Sequence, residues 1–201
     1  MEEFIMKRKV LAGLLTVVMA AGFVAVPGMQ TEVKADDKKL VGVAMPTKDL
    51  QRWNQDGENM KKSLEEAGYE VDLQYASNEV ATQVSQVENM ISNGCDILVI
   101  ASIDGSSLGE PLSQAKEAGI PVIAYDRLLM ESDAVSYYAT FDNYMVGQKQ
   151  GEYIEEALNL KEEKGPFNIE LVAGAPDDNN AKFFFSGAMD VLQHTLTKAF
   201  L

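Results

Sequence analysis

The chain has 201 residues, 46% hydrophobic and 24% charged, the composition of an ordinary folded protein with one domain and a real core. Two complete domains of roughly 100–150 residues each would be a tight fit. A formal charge of −14 and the lack of any Lys/Arg cluster after the first ten residues argue against nucleic acid, because phosphate binding is driven by clustered cations. A single cysteine, Cys95, excludes an intramolecular disulfide and a Cys-based metal site. Its position before ILVI reads as a small buried residue at the start of a strand.

At the N-terminus, Lys7, Arg8 and Lys9 precede an apolar run over residues 10–26, then Pro27 and Gly28, then a polar stretch ending in Val33-Lys34-Ala35. That is the order of a secretory signal: basic region, apolar region, small-residue cleavage site. Residues 1–35 are therefore expected to be a signal peptide, with Asp36 as the mature start and an exported product. A retained membrane anchor is the competing reading, for which the run falls slightly short of the roughly 20 residues a spanning helix needs. No Cys follows the apolar run, so a lipid anchor at that point is not expected.

From residue 40 onward, short apolar runs alternate with amphipathic segments of helical length. LVGVAM (40–45) reads as a first strand. Residues 51–67 read as a helix with Trp53, Met60, Leu64 and Ala67 on one face, stopped by Gly68. YEVDLQY (69–75) alternates and belongs nearer a sheet edge. Val80, Val84, Val87 and Ile91 form the stripe of a core-facing helix, closed by Asn93-Gly94. ILVIA (97–101), a helix over 108–118 capped by Gly119, and VIAY (122–125) follow. YYATF (137–141) is a further short strand. Continuous apolar strands mean a sheet covered on both faces, and their alternation with helices makes it a doubly wound parallel α/β domain.

In such a sheet, ligands bind beyond the carboxyl ends of the strands. The first strand is followed by Pro46-Thr47-Lys48 and then Arg52 and Trp53; the third by Ser102-Ile103-Asp104; the fourth by Asp126-Arg127; the last by Asp142-Asn143. Taken singly, each Asp has an ordinary explanation as a cap or turn residue. Together they form a polar rim containing one aromatic side chain. That combination suits a polyhydroxylated ligand, whose hydroxyls need both donors and acceptors and whose C–H face favours an apolar ring. Asp126 accepts and Arg127 donates at a single strand end, and charged partners strengthen such bonds. An ordinary surface ion pair is the alternative reading of these two residues.

Rival chemistry has little support. There is no G-x-G-x-x-G after the first strand, no G-x-x-x-x-G-K-[ST] and no G-x-S-x-G. His194, the only histidine, lies far along the chain from the rim. Neither an enzyme's nucleophile nor a cofactor or metal is expected.

RWNQDGENM, QVENMISNGCDILVIASIDG, GIPVIAYDRLL, YYATFDN and KGPFNIELVAGAPDDNNAKFFFSGAMDVLQ, in this order, resemble the periplasmic sugar-binding proteins of bacterial ABC importers. Within these they are similar to the multiple-monosaccharide group, near the xylose-binding proteins. The resemblance runs from about Val41 to Gln193. It implies two α/β lobes joined by hinge strands, closing on one monosaccharide of the xylose, glucose, galactose or arabinose class and docking on a membrane permease. It also implies sugar contacts from Arg52, Trp53, Asp126 and Arg127, from Asp178, Asn179 and above all Asn180 in PDDNN, and from Lys48 and Ser102. Asp142 and Asn143 would lie at the first crossing between lobes. The first lobe would then be 36–142, and 143–201 would begin the second.

The second lobe is expected to start with a helix carrying Gly147, Gly151, Ile154 and Leu158. A turn at EEKGP, a strand over FNIELVAG (167–174), and a core helix beginning at Phe183, Phe184 and Phe185 would follow. Compared with the family pattern, the rest of that lobe is missing after Leu201, so a fragment with uncovered apolar faces is expected. Two other readings stay open: the ligand-sensing domain of a LacI-type regulator, which needs an N-terminal helix-turn-helix, and a sugar-modifying α/β enzyme.

Overall fold

Leu40–Met45 (β1), Glu70–Tyr75 (β2), Ile97–Ile100 (β3), Val122–Tyr125 (β4) and Val135–Ala139 (β5) form one parallel sheet in the order β2-β1-β3-β4-β5. A computed structural model describes residues 38–162 and 165–198 of the chain. The expected signal peptide, 1–35, lies outside the described residues. The connecting helices are Gln51–Glu66 (α1), Val80–Ser92 (α2) and Gly109–Glu117 (α3), followed beyond the sheet by Asn143–Ala157 (α4) and Asn179–Lys198 (α5).

Side chains alternate across a strand, so the central strands feed two cores. Val41, Val43 and Met45 of β1 and Val99 of β3 pack with Trp53, Met60 and Leu64 of α1 on one face. Ala44, Leu98, Ile100, Val122 and Ala124 pack with Val87 and Met90 of α2 and Leu112 and Ala115 of α3 on the other. Each large side chain buried in this way stabilises the fold by roughly 1.5–3 kcal/mol. The sheet is thus doubly wound, and strand order reverses between β1 and β3. Binding crevices in open α/β sheets form at this switch point. Cys95 is buried at the entrance to β3, and burial pushes its thiol up to about 11.

The expected edge position of the alternating second strand is found: among the described residues β2 has one neighbour, and it is only half-buried. Three expectations shift. Ala67 is exposed, because α1 ends at Glu66 and the chain turns there into Gly68 at φ 93°. β5 covers 135–139, which leaves Thr140 and Phe141 outside the ladder. Residues 167–174 form no strand; they are exposed and pair with neither sheet edge. A strand takes its hydrogen bonds from a neighbour, so an apolar alternation that pairs with none stays irregular.

The α4–α5 pair packs as its small residues foretell. A Cβ on Gly147 would sit 2.2 Å from the Phe184 carbonyl oxygen, and one on Gly187 would sit 2.1 Å from that of Tyr144. The helices therefore touch backbone to backbone. Glu155, buried between them, pairs with Lys161 at 2.7 Å and lies 3.2 Å from His194. Phe183 and Phe185 are in α5 but are 40% and 48% exposed, and Phe184 is half-buried, so none of the three phenylalanines is a fully buried core residue.

Candidate functional site

Asp126 is the centre of the rim. It leaves β4 with φ 61°, a left-handed backbone that Asp tolerates better than most residues. Its amide donates to Ala139 O at 2.8 Å. Its carbonyl accepts from Tyr138 Oη (3.1 Å), Thr140 Oγ1 (3.0 Å) and Asn180 Nδ2 (3.2 Å). Donors from β5, from the segment after it and from α5 thus converge on one carbonyl and hold the strained residue in place. The carboxylate is then fixed in space: Oδ1 accepts from Arg52 Nη2 at 2.5 Å, and Oδ2 lies 3.4 Å from Asn180 Nδ2.

Arg127, the next residue, points toward the β3 end. Its Nη1 donates to both Ser102 O and Ile103 O at 3.1 Å, and its Nε is 3.2 Å from Asp178 Oδ2. The Arg52 and Arg127 guanidiniums lie 4.6 Å and 5.5 Å from the centroid of the Trp53 ring. Trp53 is itself 4% exposed and part of the core, so it serves as the floor on which both guanidiniums rest. Partial burial works against the Arg52 charge, but the hydrogen bond and charge of Asp126, with Asp56 beside it, outweigh that and raise its pKa. Tyr125 donates to Asp56 at 3.1 Å, and burial followed by the Asp56 charge pushes its phenol up.

Of the residues singled out in the sequence, Arg52, Trp53, Asp126, Arg127, Asp178 and Asn180 meet in one network. Asn143 joins it by donating to Asn180 Oδ1 at 3.0 Å. Ser102 takes part through its carbonyl, while its hydroxyl is buried without a hydrogen-bond partner among the described residues. Lys48 is outside the network, 4.8 Å over the ring of Tyr75, the last residue of β2. Asp142 caps α4, accepting from Met145 N at 2.9 Å, and is exposed. Asp56, Tyr125, Tyr138 and Thr140 belong to the network but carry no distinguishing signal in the sequence. Two guanidiniums and three carboxylates interleaved in this way nearly cancel, leaving a rim with both hydrogen-bond donors and acceptors and little net charge.

Residues 41–199 match the periplasmic binding protein domain family. The chain belongs to that family. Among periplasmic binding proteins, it is 53% identical to the multiple sugar-binding periplasmic protein SbpA of Azospirillum brasilense, over 87% of this chain and 49% of that protein. It is likewise 53% identical to the multiple sugar-binding periplasmic receptor ChvE of Rhizobium radiobacter, with the same coverage. A solved ABC transporter solute binding protein from Clostridium phytofermentans with bound beta-D-glucose is 74% identical and superposes with a TM-score of 0.77, over 80% of this chain and 49% of that one. This periplasmic binding protein chain spans about half the length of the curated relatives it matches.

Proposed function

We propose that the chain is part of an extracytoplasmic solute-binding protein that captures one aldose between two lobes and hands it to an ABC permease. The observation that carries this reading is the Asp126 hub: one carboxylate held between Arg52 and Asn180 at a strand end, beside Arg127. A pyranose hydroxyl can donate to Asp126 while an adjacent oxygen accepts from Arg52 or Arg127, and Asn180 can do either. Each bond with a charged partner is worth about 1.5–3 kcal/mol. Selectivity for a sugar over an anion or cation follows from the near balance of charge.

In this reading, residues 36–142 are the first lobe and 143–201 open the second, with Asp142 and Asn143 at the crossing. Asn180 would bring a second-lobe group to Asp126, with Asn143 holding Asn180, so that closing the lobes would exclude water and strengthen every bond to the sugar. Export would follow from residues 1–35, and docking on a permease from the closed form. Lys48 and Ser102 would act at the margin of the site, Ser102 through the carbonyl that holds Arg127. Support for the sugar class comes from the names of the relatives and from the glucose-bound structure.

The test uses Trp53, the only tryptophan, whose ring lies under both guanidiniums. Its emission is recorded while D-xylose, D-glucose, D-galactose and L-arabinose are added in turn. A saturable change with at least one aldose is expected. Indifference to the whole panel would sink the reading.

A further inference from the structure

Gln83 lies on the apolar stripe of α2, one turn before Val87, and is 1% exposed. An amide in a core is costly unless both its ends are satisfied, and an apolar residue would fill the same space without that cost. Here both ends are used. Nε2 donates to Ala101 O at 2.9 Å, and Oε1 accepts from Ile103 N at 2.8 Å. One side chain thus clamps both sides of Ser102, just past the last residue of β3. The carbonyls in that clamped turn, Ser102 O and Ile103 O, are the two that accept from Arg127 Nη1.

We propose that Gln83 is a positioning residue of the binding site: its amide fixes the 101–103 turn so that two carbonyls aim the Arg127 guanidinium between Asp178 and the Trp53 ring. The consequence for affinity rests on reading Arg127 as a sugar ligand. The effect on the guanidinium does not. Val80, Val84, Val87 and Ile91 share the helix and give the stripe its apolar function, whereas Gln83 reaches the site without touching ligand.

The test uses the 201-residue chain and two variants, Gln83→Met and Gln83→Glu, with rotation about the Arg127 Nε–Cζ bond measured by NMR in the absence of sugar. Slow rotation is expected in the parent chain, because both carbonyls and Asp178 restrain the plane, and fast rotation in Gln83→Met. Should the Met variant fail to fold, Gln83→Glu decides. Its protonated carboxyl reproduces the donor and the acceptor, while its ionised form loses the donor and sets a charge against Ala101 O. Arg127 is therefore expected to be restrained at acid pH and mobile at alkaline pH in that variant only. Rotation that ignores both substitutions would overturn the proposal.

A second readout separates positioning from a general structural role. With D-glucose as probe, Gln83→Glu at alkaline pH is expected to weaken binding about tenfold in the parent and hardly at all in an Arg127→Lys background, the non-additivity of residues acting through one another. Additive losses would contradict it. If the parent chain binds no sugar, the sugar reading fails and the rotation measurement still decides Gln83.

Discussion

Arg52 Nη2 and Asp126 Oδ1 meet at 2.5 Å across 74 positions of sequence, joining the start of α1 to the end of β4. Arg52 remains 53% exposed, so solvent screening limits the pair to about 1 kcal/mol of stability or less. Its value is positional. Asp126→Asn keeps the side-chain shape and the tolerance for φ 61° but loses the charge. It is expected to fold nearly as well as the parent and, under the proposed sugar capture, to bind an aldose at least about tenfold more weakly, the equivalent of about 1.4 kcal/mol. Thermal melts and calorimetric titration check the two halves separately. Asp126→Val, by contrast, places a β-branched residue in a left-handed backbone and is expected to lower stability by about 1–3 kcal/mol.

Trp53→Phe tests the floor beneath the guanidiniums. A smaller ring leaves a gap in the core that also contains Val41, Val43 and Met45, and it attracts cations less strongly. Both stability and sugar affinity are expected to fall. Denaturant midpoints and titration measure them, and a loss of neither would show that the ring carries no load for Arg52 or Arg127.

Gly147→Ala and Gly187→Ala probe the α4–α5 contact. In each case the added methyl meets a backbone carbonyl at little more than 2 Å, which a side-chain rotation cannot relieve. The helices must separate, at a cost of about 1–3 kcal/mol or more. Circular dichroism melts are expected to show a lowered midpoint for both. Gly109→Ala, which has open space around it, is the control.

Much of this architecture is legible because it follows from burial. The apolar runs at Leu40–Met45 and Val122–Tyr125 have the bounds of the strands they become, and the hydrogen-bonding residues after them converge because a parallel sheet puts the carboxyl ends of all its strands on the same side. Other features depend on partners that no local pattern names. Trp53 reads as a ligand-facing ring, yet it is buried, since its helix face is the same one that carries Met60 and Leu64. The left-handed backbone of Asp126 depends on donors from Tyr138, Thr140 and Asn180, up to 54 positions away. Gln83 is masked by the apolar stripe around it. Residues 167–174 have the alternation of a strand, but a strand is made by its neighbour as much as by its own sequence.

Acid offers a separate check on the β3–α3 turn. The Ser106 hydroxyl, then the Ser106 amide and the Ser107 hydroxyl, donate to Asp104 and hold its carboxyl below the ordinary range. A depressed carboxylate pKa stabilises the fold above the unfolded value of about 3.9, and that contribution is lost as the pH falls through the lower folded value. Asp104→Asn removes the titration. The stability gap between parent and variant, read from urea midpoints, is therefore expected to be constant near neutrality and to shrink below about pH 4.

The most direct test of sugar capture at the Asp126 hub is a titration of the isotope-labelled chain with D-glucose, followed by NMR at the backbone amides of Asp126, Arg127 and Asn180 and at the Trp53 indole. Saturable shifts confined to this network, and absent in Asp126→Asn, are expected. Shifts elsewhere on the fold, or none up to the solubility of the sugar, would contradict a binding site built around Asp126.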